Sequence, residues 1–249
     1  MDYSNTGQGT STFNQFATNT YTSATQDFLN SNSLIAQVAF LLLVLFVFII
    51  LLRLGISLLG YFLAPTGSPK LIDGMVDAKQ LIVIPQDPAL EGSVTINRSS
   101  NANEGIEFTW SVWIYIDDLT YNSGKYRCVF YKGNDYAKNS NKEDSQGLNF
   151  PNNAPGVYIA PNTNSLIVMM NTFNVINEEI QIDDIPINKW VNVIIRCQNN
   201  ILDVYINGTI VKSYHLHGVP KQNYGDIYVA PNGGFSGYIS NLWYYDYAL

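Results

Sequence analysis

Two histidines, His215 and His217, stand two residues apart. In a β-strand such residues share a face, so the pair could offer two imidazole nitrogens to one metal ion. No third ligand is obvious nearby apart from Asp226, and the simpler reading is a pair of exposed loop histidines. The acids Glu178-Glu179 and Asp183-Asp184 are the candidates for general acid–base work. Glycoside hydrolysis, for instance, needs two carboxylates facing each other across the scissile bond. Adjacent strand residues point to opposite faces, so these acids read instead as a solvated strand edge before the loop Ile185-Pro186-Ile187-Asn188. Asp117-Asp118, Asp135 and Asp226 carry the oxygens calcium prefers, but no dense acidic loop gathers them. Two cysteines, Cys128 and Cys197, are too few for a disulfide framework, and with two histidines they leave little for structural zinc. The expectation is a protein without catalytic residues and without a cofactor, calcium being the one ion left open.

The elements that must hold these residues fall into three unlike segments. Apolar residues make up 47% of the 249-residue chain and charged residues only 13%. The net charge is −7, with 13 basic and 20 acidic side chains and no basic run, which argues against a nucleic-acid partner. Residues 1–33 are two-thirds Ser, Thr, Asn, Gln and Gly and contain no Lys or Arg. Such a stretch cannot bury enough apolar surface to offset its chain entropy, so it should be an extended arm. Tyr3, Phe13, Phe16, Tyr21 and Phe28 are spaced through it, so it reads equally as a solvated tail and as a string of aromatic docking residues.

Residues 34–63 read as a transmembrane helix. Val38 to Leu52 is unbroken apolar sequence, and Leu34 to Leu54 supplies the roughly 20 residues that cross a bilayer core. Arg53 can snorkel to the headgroups. Flanking basic residues (Arg53, Lys70 and Lys79) all follow the apolar run, so the positive-inside rule puts the C-terminal domain in the cytosol. The glycosylation triplets at Asn97 and Asn207 point the other way. Residues 64–78, punctuated by Pro65, Gly67, Pro69 and Gly74, read as a linker.

The remainder, 79–249, is all-β. Ile106, Phe108, Trp110, Val112, Ile114 and Ile116 alternate with Glu107, Thr109, Ser111, Trp113 and Tyr115, so the first set should face the core. Asn199-Asn200 and Asn207-Gly208 suit two-residue turns. The first turn sets Cys197 opposite Leu202, Arg196 opposite Asp203, Ile195 opposite Val204 and Ile194 opposite Tyr205. The second sets Asp203 opposite Lys212 and Val204 opposite Val211. Cys197 is then inward; a buried free thiol is the favoured state for both cysteines, a Cys128–Cys197 disulfide the reading required if the domain is extracellular and their strands are neighbours.

The succession FTWSVWIYID, CVFYKGN, NKWVNVIIRCQNNILDVYINGTIV and GGFSGYISNLWYYDYAL resembles the laminin-G-like, concanavalin A-like jelly roll. The matching motifs are Trp190–Val193, the hairpin Leu202–Gly208 and the closing Phe235–Leu249, with Leu81–Leu90 as the opening strand. The resemblance implies an antiparallel jelly-roll β-sandwich whose concave face binds sugar or protein. The Glu-x-Asp-x-x-Glu signature of glycosidases on this fold is missing from the sequence.

Trp113, Tyr115, Ile194 and Tyr205 fall on the outward parity of their strands. Large residues there mark a covered or a contacted surface. The polar stretch Gly133–Pro155 is one candidate cover. Two functions remain. One is a structural protein that ties a bilayer to coat proteins, resembling virion proteins of large icosahedral DNA viruses with an internal membrane. The other is a carbohydrate- or protein-binding ectodomain.

Overall fold

The computed structural model describes residues 26–27, 33–64, 66–99, 101–102, 105–135 and 146–249. Tyr3, Phe13, Phe16, Tyr21 and Phe28 lie outside the described residues. The chain divides into two compact units at Ala64 and Pro65.

In the first unit one helix, α1, runs Leu34–Leu63 over 30 residues. Ser33 caps it, its hydroxyl accepting from the Ala36 backbone N–H at 3.2 Å. Its apolar side chains are exposed nearly throughout, so the helix has no face that a soluble core would hide.

The second unit is a sandwich of two antiparallel sheets. The strands are β1 (Met75–Asp77), β2 (Ile82–Ile84), β3 (Asn101–Ala102), β4 (Gly105–Asp118), β5 (Arg127–Gly133), β6 (Gly156–Ile159) and β7 (Leu166–Met170). They continue as β8 (Glu178–Ile182), β9 (Trp190–Gln198), β10 (Ile201–Ile206), β11 (Thr209–His215), β12 (Asp226–Val229) and β13 (Ser236–Tyr245). One sheet is ordered β1-β13-β4-β9-β10-β11, with β3 paired to β4; the other is β2-β12-β5-β6-β7-β8. The crossovers that place β13 beside β4 and β12 beside β5 are those of a jelly roll.

Alternation in β4 builds the core as the sequence implies. Phe108, Trp110, Val112, Ile114 and Ile116 are buried, and they meet Val129, Phe130, Val157, Ile159 and Val168 of the other sheet. Trp110 stacks on Phe130 with ring centroids 5.3 Å apart, and the Tyr244 ring meets it edge-on at 4.9 Å.

The β9–β10 hairpin has the expected register at every pair, with Asn199 in positive φ at its turn. The β10–β11 pairing differs by one residue beyond Tyr205. Ile206 pairs Thr209 across Asn207-Gly208, but a bulge between Val204 and Tyr205 sets Val204 opposite Lys212 and Asp203 opposite Ser213. Asp203 therefore accepts from Arg196 at 3.0 Å and from the Ser213 hydroxyl at 2.6 Å rather than pairing with Lys212.

Nor is 64–78 a free linker. Leu71 and Ile72 are buried in the sandwich core, β1 pairs with β13, and Ala78 is fully buried. Cys197 and Cys128 are buried free thiols in different sheets, so their strands are not neighbours. Burial pushes the Cys197 thiol up to about 12, and the Cys128 thiol is likewise raised by burial.

Trp110→Ala should cost about 3–5 kcal/mol of stability, read by denaturant unfolding of the sandwich. Trp113→Ala, on the other face, should cost no more than about 1 kcal/mol. Neither thiol should react with iodoacetamide in the folded protein, and both should react after unfolding in guanidinium chloride.

Candidate binding surface

Because β4 hydrogen-bonds to β13 on one side and β9 on the other, its outward residues are held in cross-strand rows. One row is Tyr238, Tyr115 and Trp190; the next is Ser240, Trp113 and Asn192. A third runs through Trp243, Ser111, Ile194, Tyr205 and Ile210. The four residues singled out by alternation (Trp113, Tyr115, Ile194 and Tyr205) thus lie on one face, with Ile194 directly opposite Tyr205.

Trp113 is 39% exposed, Trp190 38% and Tyr238 42%. The Tyr115 ring lies between two others, 5.6 Å from Trp190 and 6.2 Å from Tyr238 by centroids. Trp243 stacks with Tyr245 at 6.1 Å, and Lys70 Nζ lies 5.5 Å from the Trp243 ring centroid. These paired rings buttress one another, which limits the side-chain entropy left to lose when a partner covers the face. Toward the other end the face closes. Thr109 is fully buried there, its hydroxyl donating to Tyr247 O at 3.0 Å and accepting from Leu249 N at 3.1 Å.

Trp190, Tyr238 and Trp243 were not picked out from the sequence. The signal was available: Trp190 has the parity of Asn192 and Ile194, and Tyr238 alternates with the buried Ile239. For Trp243 a bulge after Ser240 resets the parity, and sequence alternation alone misses it.

Of the stretch Gly133–Pro155, the described residues 133–135 and 146–155 lie at the other sheet and not on this face. The latter lie over an outward cluster of Cys128, Tyr131, Tyr158, Ile167, Met169 and Tyr228, against which Leu148 packs. Buried amides hold them down. Asn153 Nδ2 donates to Asn149 O at 2.7 Å and to Asn177 Oδ1 at 2.9 Å, and Asn153 Oδ1 accepts from the Tyr158 hydroxyl at 2.6 Å.

The acids resolve into separate structural roles. Glu178 is not on a solvated edge as expected but buried. Its carboxylate accepts from Thr172 Oγ1 at 2.7 Å, from the His217 backbone N–H at 3.0 Å and from His217 Nδ1 at 3.0 Å. Burial pushes the Glu178 pKa up, but these hydrogen bonds outweigh it and hold the carboxyl below its ordinary value of 4.5. Glu179 is exposed, and Asp183 accepts from Ser165 at 2.8 Å and Gln181 at 2.6 Å. His215 and His217 have different neighbours, Asn200 and Glu178. Asp118 caps a turn through Thr120 and Tyr121, and Asp226 accepts from the Gln86 N–H. Among the described residues no three His, Cys, Asp or Glu side chains converge as metal ligands.

Residues 89–249 match the family described as "Concanavalin A-like lectin/glucanases superfamily" (Laminin_G_3). The chain belongs to this superfamily. No curated protein matches the sequence. Solved structures similar to this concanavalin A-like sandwich include the botulinum neurotoxin serotype D binding domain, at 14% identity and TM-score 0.45, over 72% of this chain and 48% of that one. The binding domain of botulinum neurotoxin DC, solved in complex with SialylT, matches at 14% identity and TM-score 0.43, over 70% and 43%. The chain therefore spans about half the length of those chains, and likeness this distant says nothing of ligands.

Within this jelly roll the Glu178 contacts stitch the loop after β11 to the edge strand β8 of the other sheet. With the folded pKa lowered, the stabilisation is complete above about pH 4.5 and is lost as pH falls through the folded value. Glu178→Gln should cost about 1–3 kcal/mol at neutral pH. It should also flatten the acid limb of a stability–pH profile measured by denaturant unfolding.

Proposed function

We propose that this chain is a membrane-anchored, non-enzymatic binding module. In this reading α1 holds it in a bilayer, and the aromatic face of the seven-stranded sheet docks a coat-type structural protein. The molecule would thus tether the bilayer to a protein shell, as a minor capsid-type virion protein does.

The half-exposed ring band carrying Trp113, Trp190 and Tyr238 supports this most directly. From β13 to β10 it crosses three inter-strand spacings, about 14 Å. Aliphatic Ile194 and Ile210 continue it. Mixed aromatic and aliphatic surface of that width suits the core of a protein interface better than one sugar ring. The anchor rests on α1, whose 30 residues span about 45 Å. Leu34 to Arg53 alone is about 30 Å, one hydrocarbon thickness, which sets the Arg53 guanidinium at a headgroup layer. Arg53, Lys70 and Lys79 all follow the apolar run, and by the positive-inside rule this favours a cytosolic sandwich, on the side from which a shell inside the cell or particle is reached.

One observation favours a carbohydrate instead. Asn192 and Ser240 flank Trp113, setting an amide and a hydroxyl beside an exposed ring.

Translation into sealed microsomes followed by protease should digest the sandwich and give no glycan-dependent mass shift. Protection of the sandwich, with glycans on Asn97 or Asn207, would overturn the assigned side. Trp113→Ala and Trp190→Ala should each weaken co-purification of the coat-type partner at least tenfold, with folding unchanged. Glycan-array binding abolished by the same variants would replace the protein partner with a sugar.

A further inference from the structure

Lys132 breaks the pattern that fills the core. It follows Phe130 on the inward parity of β5 and pairs with Ile227, both neighbours being core residues, yet it carries an ammonium and is only 6% exposed. Its Nζ donates to Gly225 O at 2.6 Å. Burial pulls its pKa down to about 8, with Asp226 pulling it back up, so it stays charged at neutral pH.

Lys132 forms one wall of a cavity of about 440 Å³ between the sheets. Phe108, Trp110 and Tyr244 of the seven-stranded sheet line the apolar side, and the segments around Gln86 and Gln222 complete the walls. This volume lies in the range of small-molecule sites. The Tyr244 hydroxyl is buried and, among the described residues, makes no hydrogen bond of normal geometry, although the Gln222 side chain is near enough to pull its pKa down against the raising effect of burial. A buried hydroxyl left unpaired is costly and calls for an explanation.

Two amide side chains of the lining are already engaged. The Gln86 side chain donates to Val94 O and accepts from Ile96 N. Asn223 donates to Lys132 O and accepts from Gly225 N. Among the buried side chains of the lining, bonding capacity remains at Tyr244 Oη and at Lys132 Nζ, which uses one of its three protons among the described residues. Formal charge in the lining balances, Lys132 and Arg98 against Asp87 and Asp226. An occupant needs no net charge, an apolar body for the aromatic side and an oxygen acceptor for the two donors.

We propose that this cavity binds a small neutral molecule with an aromatic body and a carbonyl oxygen, the oxygen accepting from Lys132 Nζ and Tyr244 Oη. The site is separate from the outer aromatic face and does not depend on what docks there.

Benzamide tests the chemistry, with benzoate as its anionic isostere and methyl glucoside as a polyol. Binding is read by equilibrium dialysis against the full chain in lipid nanodiscs, with empty nanodiscs as the blank. Benzamide should bind saturably, and benzoate and the glucoside at least tenfold more weakly. Tyr244→Phe removes only the hydroxyl; it should weaken benzamide about tenfold without lowering the unfolding midpoint, and Trp113→Ala should leave binding unchanged. Absence of saturable benzamide binding to the folded wild type would overturn the proposal. So would equal or tighter binding of benzoate or glucoside, or undiminished benzamide binding by Tyr244→Phe.

Discussion

Trp110 joins the two sheets, and the rest of the sandwich is arranged around that contact. Its indole stacks on Phe130 across the core and meets Tyr244 of the adjacent strand. Once Trp110 is inside, period-two alternation leaves no freedom in β4: Val112 and Ile114 follow it inward, and Trp113 and Tyr115 must face out. A one-residue slip would bury Glu107 and expose five core side chains. The aromatic outer face is therefore a consequence of how the inner face packs. Pairing of β4 on both edges then extends the band across β13, β9 and β10.

Much of this was legible in the residues. Alternation named the core face of β4, and the Asn199 turn fixed the β9–β10 register pair by pair. These are local signals, in which turn chemistry and cross-strand matching agree. The failures were non-local or too short to show a period. The bulge that moved Lys212 away from Asp203 leaves Lys212 beside Val204 and gives Asp203 a serine, a choice made by the whole sheet. Leu71 and Ile72 sit among prolines and glycines, and β1 has three residues, so nothing periodic marks them as core. Glu178 looks like one of a pair of surface acids until His217, 39 residues later, is folded against it. The outward aromatics of β4, β9 and β10 could be read by parity, but the sequence could not say which sheet residues 146–155 cover.

The two outer faces are treated differently. Amides of Asn149 and Asn153 close a loop over the six-stranded sheet and keep Tyr158, Cys128 and Met169 from water. On the seven-stranded sheet the C-terminal residues cover Thr109, while Trp113, Trp190 and Tyr238 stay half-exposed. One aromatic face is hidden and the other left open, and the open face is the one to which the proposed docking role is assigned. The acids described, among them Glu178, Asp118, Asp183 and Asp203, accept hydrogen bonds that fix turns and edges.

The most direct measurement is photo-crosslinking in the native membrane. Benzoylphenylalanine would replace Trp113 or Trp190 on the ring band, and in a control chain Glu179 on the edge strand of the opposite sheet. Both ring-band positions should crosslink to the same protein species, and the Glu179 position should not. Equal crosslinking from all three positions, or none from Trp113 and Trp190, would contradict a docking role for the aromatic face.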